Sequence, residues 1–238
     1  MNFQDIQKWL RIATAAGMVA SVANAATPAK PKALSGPAPA ITELFVADML
    51  GADRAFVERR IGPAKYVNDG ERKYVVAGCN VTINYKGNAV RNMAIDGLSN
   101  RCTFNVAKFY PQERLTDAAS LTFGGFDKMF RNTVYFPQCF GTCGNSANPS
   151  LTAHYDGSHA EQFVEIQVSN SYPYRGAAAD KAFRKVMDAI TSTPSNIDDN
   201  ADCSVAVSAI AQTYFTGVQI NNIVVGYDLD TNPARCGR

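Results

Sequence analysis

The chain has 238 residues, 46% of them hydrophobic and 18% charged, with 23 Lys and Arg against 21 Asp and Glu. A formal charge of +2, with basic residues scattered rather than striped, excludes nucleic acid as the main partner. A chain of this length and apolar content can bury a sizeable core, as one large domain or as two or three small modules.

The N-terminal segment carries Lys8 and Arg11, a mildly apolar run from Ile12 to Val22, and then Ala23-Asn24-Ala25. That order predicts a secretory signal peptide over residues 1–25, cut after Ala25. The run is far shorter than the roughly 20 residues a membrane helix needs, and no later stretch reaches that length. No Cys follows the cut to carry a lipid. The processed chain is therefore expected to have a formal charge of +1 and no stable membrane anchor, and to reside in the periplasm or outside the cell.

All six cysteines, Cys79, Cys102, Cys139, Cys143, Cys203 and Cys236, lie beyond the signal. In an exported chain this even set predicts three disulfides. Proximity suggests pairing neighbours, Cys79 with Cys102, Cys139 with Cys143 and Cys203 with Cys236, although number alone leaves the connectivity open.

Residues 26–40 hold four Pro and two Lys with little to bury, and are expected to form a disordered or extended leader. A first unit is expected over 41–115. Leu44, Phe45 and Met49 give a short apolar helical face, broken at Leu50-Gly51. Asp53 then caps a helix bearing Phe56, Val57 and Ile61, which Gly62-Pro63 stops. From Cys79 the chain alternates, with Val81, Ile83 and Tyr85 against Asn80, Thr82 and Asn84, the period of a strand with one buried face. Lys86-Gly87-Asn88 turns the chain, and Val90 to Ile95 returns.

A second unit is expected over 116–175. The segment Val81 to Asn88 matches Leu151 to Ser158 at a constant offset of 70, with Thr, Tyr and Gly identical, and each copy is followed by a second strand. In the second return strand Val164, Ile166 and Val168 alternate with Glu165, Gln167 and Ser169. Phe123-Gly124-Gly125-Phe126 with Met129-Phe130 stands as a shorter counterpart of the first helices. A C-terminal extension is expected over 176–238. There Phe183, Val186, Met187 and Ile190 mark a helix with one core-facing stripe. Cys203 to Phe215 is ambiguous between helix and strand, and Ile220 to Leu229 reads as a strand.

The run from Gly51 to Pro63, Gly-Ala-Asp-Arg-Ala-Phe-Val-Glu-Arg-Arg-Ile-Gly-Pro, followed by an alternating strand and a Gly hairpin, resembles a known helical signature. It is similar to that of the BamE-type outer-membrane assembly lipoproteins and the β-lactamase-inhibitor-protein-like superfamily. The resemblance covers 42–95, with a fainter second copy at 118–169. Asp53 stands where that signature has Ser or Thr, and the lipid-bearing Cys is missing. The resemblance implies tandem helix-plus-hairpin units forming a concave sheet that grips a protein, with helices behind it. It supplies no catalytic residue, and fold in such a superfamily is loosely tied to function.

Candidate chemistry is sparse. The two histidines, His154 and His159, straddle the Asp156-Gly157 turn and could join Asp156 or Glu161 on a metal, but their spacing matches no established ligand pattern. Strand parity puts His154 on the polar face, as a solvated side chain. No Gly-x-Ser-x-Gly elbow exists, and Ser158 lies in the turn itself. Cys139 and Cys143 have three residues between them, one more than the thioredoxin-type redox motif, so a structural bridge is expected. The flanking Tyr135, Phe136 and Phe140 either fill the core or form an exposed tip. Asp198 to Asp202 and Asp228 to Asn232 imitate the start of a calcium loop but place Cys203 and Pro233 where that loop needs Gly. No cofactor and no metal site is expected.

The expected fold is therefore two-layer α+β. Asn80, Thr82, Asn84, Thr152, His154, Glu165 and Gln167 should line its polar sheet face. The expected function is a non-enzymatic protein-binding module, inhibitor- or immunity-like, whose partner is another envelope or extracellular protein. An envelope assembly accessory is the first alternative, and a metal-binding protein or enzyme at the His154/His159 turn the second.

Overall fold

A computed structural model describes residues 40–110, 116–131, 133–139, 149–156, 164–171, 176–192 and 205–229. The fold is α+β: a single antiparallel sheet with helices packed on one face. In chain order its elements are α1 (Ile41–Leu44), α2 (Arg54–Ile61), β1 (Tyr66–Asn68), β2 (Glu71–Val76), β3 (Cys79–Lys86), β4 (Ala89–Asp96), α3 (Phe123–Met129), β5 (Val134–Gln138), β6 (Ser150–Tyr155), β7 (Glu165–Asn170), α4 (Ala177–Ser192), α5 (Val205–Phe215) and β8 (Asn222–Gly226).

Asp53 caps α2 as expected, accepting from Ala55 N at 2.8 Å, and Gly62 ends the helix at a φ of 86° that glycine adopts without penalty. Val57 is the buried residue of that helix, and Ile61 packs partly buried against the core. Phe56 is 40% exposed beneath the Arg60 guanidinium, because α2 has eight residues and turns one narrow face inward. The hairpin over β3 and β4 forms where alternation places it. Three strands carry weaker signals. Glu71-Arg72-Lys73 masks the period of β2, β1 has three residues, and β5 contains Pro137, which an edge strand tolerates. The ambiguous run ending at Phe215 is helix α5, since its Val207, Ala211 and Phe215 recur every fourth residue and are fully buried.

The strand order is β1-β2-β3-β4-β8-β7-β6-β5, antiparallel throughout. The segment read as a C-terminal extension thus supplies the strand at the seam: β8 lies between β4 and β7 and bonds to both. Val81 and Leu151, equivalent in the sequence match, both face the core, and Thr82 and Thr152 both lie on the opposite face. The match goes no further in the sheet. β4 and β7 are each antiparallel to β8 and so parallel to one another, yet β2-β3-β4 and β5-β6-β7 reach the seam from opposite sides. A rotation that keeps the helical face and strand direction cannot reverse lateral order, so the two trios are not superposable copies.

The core runs unbroken along the helical face. Tyr74, Val81, Ile95, Ile223, Val168, Ala153 and Tyr135 form one cross-sheet row, all buried. Phe45 stacks on Phe104 at one end, and Phe215 packs edge-on against Phe123 and Phe183 at the other. Burial of each such ring is worth about 2–3 kcal/mol. Cys79 and Cys102 are bridged, as neighbour pairing predicts. Cys139 is also disulfide-bonded, while Cys143, Cys203 and Cys236 lie outside the described residues.

Candidate binding face

Register places every predicted polar-face residue on one side of the sheet, away from the helices. Three cross-strand rows carry them. The first runs Val75, Asn80, Asp96, Asn222, Ser169, Thr152 and Phe136. The second runs Tyr66, Lys73, Thr82, Ala94, Val224, Gln167, His154 and Val134. The third brings Asn84, Asn92, Gly226 and Glu165 together. Residues from the two hairpins thus share a face because β8 joins their edges.

The face is uneven. Tyr66 (53%), Val75 (49%) and Val134 (54%) leave apolar surface exposed toward its two lateral edges. Asn80 is exposed, and Asn84, Thr152, Glu165 and Gln167 are partly buried. Two of the predicted face residues are buried, which corrects the expectation of a solvated His154. Thr82 is 9% exposed and His154 only 5%. Thr82 lies between Lys73 and Ala94 on neighbouring strands, and His154 is flanked by Gln167, Val134, the Phe136 ring and Glu165. Period-2 parity fixes which side a residue faces, but cross-strand neighbours decide whether water reaches it.

His154 Nε2 lies 3.1 Å from Glu165 Oε2, near enough for an ion pair but not aligned for a hydrogen bond through that nitrogen. Burial lowers the His154 pKa below the usual imidazole range, against the opposing charges of Glu165 and Asp156. Burial likewise raises that of Glu165, opposed by His154 and by the Leu229 N–H, which donates to Oε2 at 3.1 Å. Glu165 borders a cleft of about 530 Å³ with Lys86, Arg91, Asp156, Tyr227 and Asp228, where Arg91 and Asp228 pair. Among the described residues no three His, Cys, Asp or Glu converge as metal ligands. His159, Glu161, Ser158 and the acidic run at 198–202 lie outside those residues.

A second cleft, of about 450 Å³, opens on the other half of the face. Asp96, Lys65, Lys73, Thr82, Ser171 and Asn222 line it. Asn222 is fully engaged: its Oδ1 accepts from Gly97 N at 3.2 Å, and its Nδ2 donates to Ser171 Oγ at 2.7 Å. Asp96 is partly buried, and burial raises its pKa, with Lys73 opposing. Sequence reasoning missed Asp96 and Asn222, although the parity of β4 and β8 puts them on this face. It missed Tyr66 and Lys73 because the strands that carry them were not recognised.

Protein-family models, curated proteins and solved structures all give no match to this chain. Among the described residues no helix is long and apolar enough to cross a membrane. The Cys79–Cys102 bridge fits an oxidising compartment.

Proposed function

We propose that the chain is an exported binding module that acts without catalysis, with residues 1–25 removed as a signal peptide, and that it grips another envelope or extracellular protein through its open sheet face. The supporting observation is the continuity of that face: polar side chains from two hairpins 70 residues apart in sequence fall on one side of one sheet. Exposed Tyr66, Val75 and Val134 add apolar anchors toward its rims, the kind of side chain that supplies binding energy when a partner dries it. Inhibitor- or immunity-like action is one version of this reading.

The test is capture with tagged, processed protein from its own envelope and medium, in parallel with two face variants and one control variant. Thr152→Arg and Gln167→Arg add bulk and charge to the face, whereas Arg184→Ala alters an exposed position of α4. The expected result is one stoichiometric protein, lost with both face variants and retained with Arg184→Ala. A partner retained by both face variants, or none captured, overturns the reading.

A further inference from the structure

The cleft beside Asp96 has more hydrogen-bonding capacity than the chain itself uses. Among the described residues the Asp96 carboxylate makes no hydrogen bond or ion pair, and the Thr82 hydroxyl has no partner. Ser171 Oγ accepts from Asn222, which leaves its own hydrogen to donate. The Lys65 ammonium is unpaired among the described residues, while Lys73 contacts Glu71 at 3.4 Å and lies over the Tyr66 ring. An acceptor-only carboxylate, two donor-only ammonium groups and two hydroxyls therefore face one space of about 450 Å³.

A simple ion does not fit that set. An anion drawn to Lys65 and Lys73 meets Asp96, and a cation drawn to Asp96 meets both lysines. Hydroxyl groups satisfy all of them, since each donates to a carboxylate and accepts from an ammonium. The cleft also has an apolar margin: Val75 lines it and is half exposed, and Tyr66, directly across from Lys73, keeps its ring in solvent. A ligand with a hydroxyl rim and an apolar C–H face matches both halves of this surface.

We propose that this cleft binds a neutral saccharide, with Asp96, Lys65, Lys73, Thr82 and Ser171 meeting its hydroxyls and Tyr66 stacking on its ring. The unpartnered carboxylate is then explained: Asp96 is held half-buried without a partner because the ligand provides one. The site shares a face with the protein-binding reading but does not depend on it, since purified sugar and purified protein suffice.

The experiment is a panel of defined oligosaccharides, including neutral hexose and N-acetylated amino-sugar oligomers, uronic acid oligomers and free amino acids as the zwitterionic probe. Binding is measured on the processed chain, followed by titration calorimetry on any hit. At least one neutral oligosaccharide is expected to bind. Asp96→Ala and Tyr66→Ala should each weaken it tenfold or more, and Lys65→Ala, on the exposed rim, about threefold. Arg184→Ala, at an exposed position of α4 in the helical layer, should leave it unchanged. Thermal unfolding of each variant verifies the fold, and Tyr66 and Lys65 are exposed enough to be read even if Asp96→Ala fails to fold. No binding to any neutral oligosaccharide, binding indifferent to Tyr66→Ala and Lys65→Ala, or a preference for free amino acids or uronic acids overturns the proposal.

Discussion

The two halves of the sheet that meet at β8 are built in different ways. In the half formed by β1 to β4, successive strands are joined by two-residue turns, Asp69-Gly70, Ala77-Gly78 and Gly87-Asn88. The first two have both central residues at positive φ, the geometry that matches strand twist in tight hairpins. Its helical cover is slight, α1 with four residues and α2 with eight, and a disulfide ties Cys102 to the start of β3. The half formed by β5 to β7 draws its cover from α3, α4 and α5, where Phe183, Phe215 and Phe123 pack in succession and Phe123 meets Tyr135. One half is a local meander held by turns and a covalent bridge. The other is assembled by elements that arrive late in the chain, and β8 ties the two together.

That contrast can be broken by substitution, and the largest effect is expected in the helix-covered half. Phe215→Ala removes a fully buried ring between Phe123 and Phe183 and should cost about 3–5 kcal/mol in denaturant unfolding. Hydrogen exchange should show α4 and α5 losing protection before β2 and β3. An equal loss in both halves would show that they do not differ in the way described.

At the seam, Gly226 is irreplaceable for a steric reason. A Cβ there would sit 2.3 Å from Asn92 Cβ and 2.5 Å from Arg91 O. Gly226→Ala should cost about 3 kcal/mol and loosen β8 from β4. The amides of β4 and β7 that bond to β8 should then exchange faster, while the turn-linked β1 to β3 keep their protection.

In the meander, replacing Cys79 and Cys102 together by Ala should cost about 3 kcal/mol, the value for a loop of this size. The loss is expected to fall on β3, β4 and residues 98–104. A smaller loss, with the helix-covered half equally affected, would mean that the bridge restrains the whole sheet.

The smallest effect carries a sign. Burial raises the pKa of Asp96 in the folded chain, so its charged form opposes folding above that raised value and not below the unfolded one. Asp96→Asn should therefore raise the melting temperature slightly at pH 7, with the gain fading as pH falls toward the ordinary carboxylate range near 4. A lower melting temperature at pH 7 would mean that Asp96 is paired within the protein. The carboxylate would then have no need of a ligand.

Much of the meander was legible in the sequence, because its information is local. Asp53 as a cap, Gly62 as a stop, the alternation from Cys79 to Tyr85 and the Gly87 turn all act within a few residues. Parity also assigned Asn80, Thr82, Asn84, Thr152, His154, Glu165 and Gln167 to a common kind of face, since side chains two apart on a strand must share a side. Cys79 and Cys102, neighbours in cysteine order, bracket the hairpin of β3 and β4, and that order was enough to pair them.

Only the tertiary structure decided that those faces are one surface. Strand order is set by which edges find each other, and β8, more than 120 residues after β4, bonds to it and to β7 with nothing in its local pattern to name either neighbour. The burial of His154 and the half-buried, unpartnered state of Asp96 follow from the same cause. A residue's own alternation chooses its side of the sheet, but access to water depends on neighbours brought in from distant strands.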